Sequence, residues 1–349
     1  MVNSNIRRVT LRDVARVAGV SAMTVSRALR QFDRVAPATG QQIRELARKM
    51  GYSPDPHLTA LAVYRQRLRH PAEHEVIAYL TTDDTRQGYR RTKVGSEPLR
   101  GAAERAAELG YRVEPIWLAD LEKHHRDPSE VLAARGIRAI VLARLAYPGM
   151  KIDLRWERFA TIAVGYSLVQ PEIHVVASHL FQNLSLAFEQ VRALGYRRPA
   201  LLLSADADSR TRYQFHGAFL FEQQSLPADA RLPILWTEPA RQTEDLRNYL
   251  RLHEPDVIFS VWPETYGVLL SLRLRPPAGI GYVNLNVDSP AAPVSGVYQD
   301  FAGIGAAAVN RLNVMLQSCE RGIPTKREVT ALFGQWCPGK TLRRIPVVV

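Results

Sequence analysis

The sequence has few cysteines and no long apolar run. Among its 349 residues only Cys319 and Cys337 are cysteines, and they show neither CxxC spacing nor the framework of a disulfide-rich secreted protein. No run approaches the roughly 18 apolar residues that a membrane span needs, and the N-terminus lacks the apolar stretch of a signal peptide. These absences predict a cytoplasmic protein that does not enter the membrane and whose thiols are buried or inert.

Signatures of common enzymes are also scarce. Neither GxGxxG nor HExxH occurs, and GYSLV at 165–169 departs from the GxSxG nucleophile elbow at its last position. His124 and His125 are adjacent, and consecutive residues do not converge on one metal. We therefore expect that the protein is not an enzyme and that it needs no cofactor and no metal.

Positive charge is concentrated at one end of the chain. The formal net charge is +12, and residues 1–70, with thirteen Lys or Arg and four Asp or Glu, contribute +9 of it. A basic patch confined to a small segment is expected of a protein that binds a polyanion, either nucleic acid or an acidic membrane surface. Charge alone does not separate these two partners.

The basic segment carries the pattern of short amphipathic helices. In TLRDVARVA, at residues 10–18, apolar residues recur at helical spacing, and Thr10 with Asp13 approximates a capping box. Gly19 permits a tight turn, and Ser21 can cap a second helix. Two short helices around a glycine turn predict a helix-turn-helix.

A third helix completes this small domain. It is expected to begin at about Pro37 and to stop at Gly51, with Ile43, Leu46, Ala47 and Met50 as its apolar stripe. The three helices together form a minimal core.

The second helix leaves a polar and basic outer face. This face consists of Ala22, Met23, Ser26, Arg27 and Arg30. Arg27 is the strongest candidate for a base contact, because arginine can donate two parallel hydrogen bonds to guanine, while Ala22 and Met23 can only pack against thymine methyl groups or sugars. The alternative is that Arg27 and Arg30 are merely a solvated basic face.

The headpiece resembles a known family. VTLRDVARVAGVSAMTVSRAL, at residues 9–29, is similar to the headpiece of the LacI/GalR (lactose-repressor) family, whose pattern is roughly TxxDVAxxAGVSxxTVSRxL. The resemblance implies phosphate contacts and base contacts. The phosphate contacts would come from Thr10, Ser21, Ser26 and Thr39, and the base contacts from Ala22, Met23 and Arg27.

The headpiece departs from the family at two places. Ala36 and Pro37 follow Val35 where the family usually has a helix-capping serine, so that cap is lost and proline only pre-sets the first turn. Gly40 replaces a residue that is commonly charged.

A hinge follows the headpiece. Asp55 can act as a helix cap and Pro56 as a first helical residue, with Leu58 and Leu61 on one side. The family places here a linker helix that enters the minor groove of DNA, and Leu61 aligns with its apolar wedge, which unstacks a base step. The alternative is that Leu61 packs between domains.

The remainder of the chain alternates strand-like and helical segments. The segments are VIAYL, LRGAAERAAELGY, RAIVLARL and FATIAVGY, then LAFEQVRALGY, PALLLS, LPILW, DVIFSVW, IGYVNL and IGAAAVNRLNVML. This alternation predicts parallel α/β structure in two similar lobes. Residues 75–340 resemble the periplasmic-binding-protein-like sensor domain of the same family, in which a small-molecule effector binds between the lobes.

The usual sugar-binding and purine-binding residues are only partly present. Gln214 stands where the family has an arginine before a glycine, Trp262 stands near the expected aspartate, and Trp236 falls at the pocket aromatic. Trp236 and Trp262 can stack on a ring, and Gln214 and Asn286 can hydrogen-bond it, so these four residues are the candidate effector site. Two alternatives remain open. In one, both tryptophans are packing residues; in the other, Arg210, Arg212 and His216 favour an anionic effector.

The sequence thus predicts an α + α/β protein. Its three parts are a helix-turn-helix headpiece at 1–54, a hinge at 55–72 and a two-lobed effector-binding and dimerisation domain at 73–349. We expect a homodimeric repressor that binds a pseudo-palindromic DNA operator and responds allosterically to a small molecule. The alternatives are an α/β enzyme with a DNA-binding appendage and a non-specific architectural DNA binder.

Overall fold

The computed structural model describes residues 9–29, 35–52, 75–123 and 127–346. Within these residues no helix has the length and apolar character that crossing a membrane requires. The hinge positions Leu58 and Leu61, the histidine pair at 124–125 and the predicted domain boundaries near residues 54 and 72 lie outside the described residues.

The headpiece contains three helices. They are α1 (Leu11–Ala18), α2 (Ala22–Leu29) and α3 (Pro37–Lys49). Thr10 and Asp13 form the predicted capping box, and Gly19 ends α1 in the left-handed conformation with φ of 67°. Ala36 precedes α3 without a side-chain cap, as the sequence predicts.

The headpiece has its own apolar core. Its buried members are Val14, Ala15, Val25, Ala28, Ile43 and Ala47, with Leu11, Ala18, Leu29 and Met50 packed around them. Of the predicted stripe of α3, Ile43, Ala47 and Met50 lie on this core, whereas Leu46 is partly buried outside it. Arg44 also donates a hydrogen bond of 3.0 Å to the carbonyl of Ala28, which satisfies an acceptor near the end of α2.

The rest of the described chain forms two α/β lobes. Lobe 1 has the strands β1 (Glu75–Thr81), β2 (Tyr111–Trp117), β3 (Ala139–Leu142), β4 (Ala160–Val164), β5 (His174–Ser178) and β11 (Val329–Leu332). Its helices are α4 (Lys93–Glu108), α5 (Leu118–Leu121), α6 (Pro128–Ala134) and α12 (Phe301–Ser318). The strand order is β11-β5-β4-β3-β1-β2, and all neighbouring pairs are parallel.

Lobe 2 repeats this plan. Its strands are β6 (Pro199–Leu203), β7 (Leu235–Trp236), β8 (Val257–Ser260), β9 (Gly281–Asn284), β10 (Gly296–Tyr298) and β12 (Gln335–Cys337). Its helices are α7 (Leu180–Ala193), α8 (Ala205–Arg210), α9 (Gln214–Gln223), α10 (Gln242–His253) and α11 (Glu264–Ser271). The order is β12-β10-β9-β8-β6-β7, with only the β10–β12 pair antiparallel. The two parallel α/β lobes confirm the fold predicted from the sequence.

The chain crosses between the lobes three times. It leaves lobe 1 after β5, returns between β10 and α12, and leaves again between β11 and β12. Asn183, buried at the start of α7, joins two of these crossings. Its amide nitrogen donates to the Ser178 hydroxyl at 2.8 Å, and its amide oxygen accepts from the Gly334 backbone at 2.8 Å.

Helices α4 and α12 touch backbone to backbone on lobe 1. A Cβ added at Gly101 would lie 1.9 Å from the carbonyl oxygen of Ala302, and one added at Gly305 would lie 1.9 Å from that of Pro98. Glycine is therefore required at both positions, because a side chain there would force the helices apart.

Candidate nucleic-acid interface and interlobe cleft

The first turn of α2 is an exposed surface of small and polar residues. The Ser21 hydroxyl accepts a hydrogen bond of 3.0 Å from the Thr24 backbone, which caps the helix. Met23 is 63% exposed, while Ala22 and Ser26 are partly exposed. This turn lies at the positive end of the helix dipole, which attracts phosphate.

The flanking candidates occupy different positions. The Thr10 hydroxyl is exposed and donates to the Asp13 carboxylate at 2.7 Å, and Thr39 lies partly exposed in the first turn of α3. Arg27 is part of α2, but its side chain lies outside the described part of the chain, as does the whole of Arg30. The assignments of Leu58, Leu61 and both arginines therefore stay predictions.

The cleft between the lobes is closed by direct contacts. Arg210, at the end of α8 in lobe 2, donates to the carbonyl of Leu145 in lobe 1 at 2.6 Å and also to that of Ala146. Lys93 of lobe 1 donates to the carbonyl of Asp288 in lobe 2 at 3.2 Å. These contacts bring the carboxyl-terminal edges of the two sheets together, which is the edge where open α/β sheets bind ligands.

The four candidate effector residues all belong to lobe 2. Trp236 ends β7, Trp262 follows β8, Asn286 follows β9 and Gln214 begins α9. They lie near the carboxyl ends of neighbouring strands, but no hydrogen bond or ring contact joins any two of them among the described residues.

The two tryptophans differ in their surroundings. Trp236 is 47% exposed and meets the His216 ring edge-on, with 5.4 Å between ring centroids. Trp262 is partly buried and packs against the apolar cluster of lobe 2, and its backbone donates to the Ser260 hydroxyl at 3.1 Å. The packing alternative therefore has more support for Trp262 than for Trp236.

Arg144 is a cleft residue that sequence reasoning did not single out. It follows β3 in lobe 1, and it is partly buried within electrostatic range of Asp206 and Arg210 of lobe 2. Burial lowers the pKa of Arg144, and nearby Arg210 lowers it further, while Asp83 and Asp206 oppose the shift. Burial also raises the pKa of Asp83.

A Walker-like spacing near the C-terminus was also missed. Residues 334–341, GQWCPGKT, fit the pattern GxxxxGK[ST], which in P-loop proteins lies between a strand and a helix. Here the segment contains strand β12, and no helix follows it up to residue 346. Thr341 is buried and its hydroxyl donates to the Tyr282 carbonyl at 2.6 Å. The residues that match the pattern are therefore part of the fold of lobe 2, and they give no support for an enzyme.

The described residues contain no group of three or more His, Cys, Asp or Glu side chains placed to hold a metal ion.

Residues 10–55 match the family model described as bacterial regulatory proteins, lacI family. The chain is 26% identical over 211 residues to the HTH-type transcriptional repressor CytR of Escherichia coli K12, a match that spans 60% of this chain and 57% of that repressor. The headpiece of this chain is therefore similar to the LacI family of bacterial regulatory proteins. The match to CytR spans little more than half of that relative's length.

Two further comparisons differ between the headpiece and the rest of the chain. The HTH-type transcriptional regulator GntR of Pseudomonas aeruginosa is 51% identical over 55 residues, which is 16% of each chain. The solved lac repressor dimer bound to operator and the anti-inducer ONPF is 18% identical, with a TM-score of 0.55, and covers 97% of this chain and 100% of that one. The latter likeness concerns the fold. The named relatives are transcriptional regulators rather than enzymes, in agreement with the prediction from sequence.

Proposed function

We propose that this protein is a sequence-specific DNA-binding transcriptional repressor in the cytoplasm, which binds a pseudo-palindromic operator as a homodimer and whose affinity is modulated by a small-molecule effector. The proposal rests chiefly on the headpiece. Its three helices bury their apolar faces on each other and leave the first turn of α2 exposed, with Met23 and the Ser21 cap at its surface. A helix presented in this way fits the major groove.

The roles of the individual residues follow from this placement. Ser21 and Ser26 would position α2 on phosphates together with Thr10 and Thr39, while Ala22, Met23 and Arg27 would face base edges. Arg30 would add a phosphate contact, and Leu58 and Leu61 would enter the minor groove from the hinge.

The homodimer follows from the reach of one headpiece. A single α2 reads only half of a site, so two copies are needed for a two-fold symmetric operator. The solved lac repressor described as a dimer on its operator supports this assembly for a chain with the same fold.

Effector control follows from the two lobes. A ligand that binds the cleft better in one lobe arrangement shifts the population of arrangements, and the coupling to DNA affinity is reciprocal. Gln214, Trp236, Trp262 and Asn286 would contact the effector from lobe 2.

Selection of bound duplexes from a random DNA pool by the full-length protein tests this function. We expect enrichment of a two-fold symmetric site with half-sites about 10 bp apart, one helical turn. Arg27→Ala should lose this enrichment while its unfolding temperature stays within about 1 °C of the wild type, because the proposal assigns this side chain to recognition and not to the fold.

Two outcomes would contradict the proposal. Enrichment without symmetry, or tight salt-sensitive binding without enrichment, would indicate an architectural DNA binder instead. Retained specificity in Arg27→Ala would remove that residue from the base contacts.

A further inference from the structure

The loop that carries Arg144 lies at the cleft edge of lobe 1, and two hydrogen bonds fix its backbone there. The Leu145 backbone donates to the buried Ser167 hydroxyl at 2.9 Å, and the Ala146 backbone donates to the Thr82 hydroxyl at 2.9 Å. These two bonds hold the backbone next to Arg144 in place. The guanidinium is therefore attached to a rigid part of the cleft, as a binding group should be.

Arg210, the neighbouring arginine, already has its partners. Its guanidinium donates to the carbonyls of Leu145 and Ala146 and pairs with the Asp206 carboxylate at 2.6 Å. Only 14% of its side chain is exposed. Arg210 therefore holds the lobes together, and the Asp206 carboxylate forms its ion pair with Arg210 rather than with Arg144.

Arg144 has no such partners. Although it is partly buried, it makes no hydrogen bond and no ion pair with any residue in the described ranges, and its neighbours include a second positive charge on Arg210. The Asp83 carboxylate nearby likewise forms no ion pair and no hydrogen bond to another side chain within these ranges. A partly buried guanidinium without a protein acceptor keeps its N–H donors available to a ligand.

We propose that the effector is a small molecule with a carboxylate or phosphate group, which Arg144 binds. The guanidinium offers a planar fork of N–H donors that matches two oxygens of such a group. Asp83 lies close enough to interact with Arg144 and accepts a hydrogen bond from a hydroxyl or ammonium group on the same molecule. The inference rests on the proposed use of the cleft as the effector site and adds the chemical class of the ligand.

The anion also explains how the ligand acts on the lobes. Arg144 belongs to lobe 1, and the positive charge of Arg210 in lobe 2 lies near it when the cleft is closed. An anion that contacts both guanidinium groups favours the closed arrangement, because only closure brings the two positive charges together.

Inorganic phosphate is the probe that tests this anion site. It is titrated at constant ionic strength against the full-length wild type, Arg144→Gln and Arg251→Gln, with calorimetry and the unfolding temperature as readouts. Arg251 is an exposed arginine of α10 in lobe 2, and its substitution removes the same charge elsewhere. Phosphate that binds to the basic headpiece is common to all three proteins, so the difference between them isolates Arg144.

We expect Arg144→Gln to weaken the cleft component of phosphate binding by about tenfold, the effect of losing a charge-assisted hydrogen-bond pair. Arg251→Gln should bind phosphate as the wild type does. Without phosphate, Arg144→Gln should unfold at the same temperature as the wild type or higher, because an unpartnered charge has been removed. This rise distinguishes a binding arginine from one that supports the fold.

The proposal is overturned if Arg144→Gln binds phosphate as tightly as the wild type, or if it is destabilised without phosphate. The readout involves no DNA. A protein that fails to select an operator but binds phosphate through Arg144 would contradict the proposed regulator alone, and an operator-selecting protein with unchanged Arg144→Gln binding would contradict this inference alone.

Discussion

The hydroxyl of Ser21 illustrates how one side chain serves both folding and recognition. It caps α2 by accepting from the Thr24 backbone, and it lies at the surface proposed to meet DNA phosphates. Substitution can separate these two roles, because a helix cap needs a hydrogen-bond acceptor whereas a phosphate contact needs a donor.

Ser21→Ala should destabilise α2 by about 1 kcal/mol, the typical value of a helix cap. Hydrogen exchange of the α2 amides should accordingly become about fivefold faster. Ser21→Asp should retain wild-type exchange, since aspartate caps helices well, yet it should weaken operator binding because its charge repels phosphate. Equal exchange in Ser21→Ala and the wild type would show that the hydroxyl does not stabilise the helix.

Residue types predicted the headpiece better than the cleft. The capping box at Thr10 and the turn at Gly19 follow from local chemistry, so the sequence was sufficient to find them. Arg144 was absorbed into the strand-like run RAIVLARL, although β3 ends two residues earlier, at Leu142. Arg144 comes close to lobe 2 only because the two lobes close on each other. A contact between lobes cannot be predicted from the sequence of one segment.

At the scale of elements, the contact between α4 and α12 is the closest helix packing described above. The two helices are about 200 residues apart in sequence, yet Gly101 and Gly305 allow their backbones to touch. Arg105 of α4 adds a hydrogen bond of 2.6 Å to the side-chain oxygen of Asn310 in α12. The pair therefore fixes the C-terminal helix onto lobe 1.

Gly101→Ala should destabilise the protein by about 1–3 kcal/mol or more, the usual range for overpacking, because the new methyl group meets a backbone carbonyl that cannot rotate away. Gly217→Ala in α9 is the matched control. Nothing lies within 4 Å of a Cβ added there, so alanine should be neutral or stabilise the helix. Thermal unfolding distinguishes the two, and an unchanged unfolding temperature in Gly101→Ala would show that the helices are free to separate.

The strands that the sequence analysis did not predict have weak or short apolar patterns. Strand β2, YRVEPIW, lies at the edge of its sheet and mixes polar residues and a proline with apolar ones, so its pattern is weak. Strand β5 contains His174, which is buried because Arg311 and Glu320 contact it from α12 and its C-terminal end. Strands β10, β11 and β12 are short, and they form only because they pair with strands that are distant in the sequence.

At the scale of the whole molecule, two hydrogen-bonded contacts of unequal strength join the edges of the closed cleft. Arg210 is largely buried and donates to two carbonyls of lobe 1. Lys93 is exposed and makes a single hydrogen bond to the Asp288 carbonyl. Exposed charged contacts contribute little, so Arg210 should dominate closure.

Arg210→Ala should therefore open the lobes in the absence of effector, while Lys93→Ala should leave them closed. Small-angle X-ray scattering checks this as an increase in radius of gyration for Arg210→Ala only. If the two variants scatter like the wild type, closure is held by the crossings near Asn183 instead.

The three crossings also determine when the protein can finish folding during its synthesis. Lobe 1 begins at β1 but needs α12, whose Ile304, Val309 and Leu312 cover an apolar face of its sheet, and then β11. Until these C-terminal segments leave the ribosome, that face has no cover, whereas the headpiece is already complete. Each nascent chain therefore passes through a stage with a finished headpiece and an unfinished first lobe, a stage in which aggregation is the main hazard.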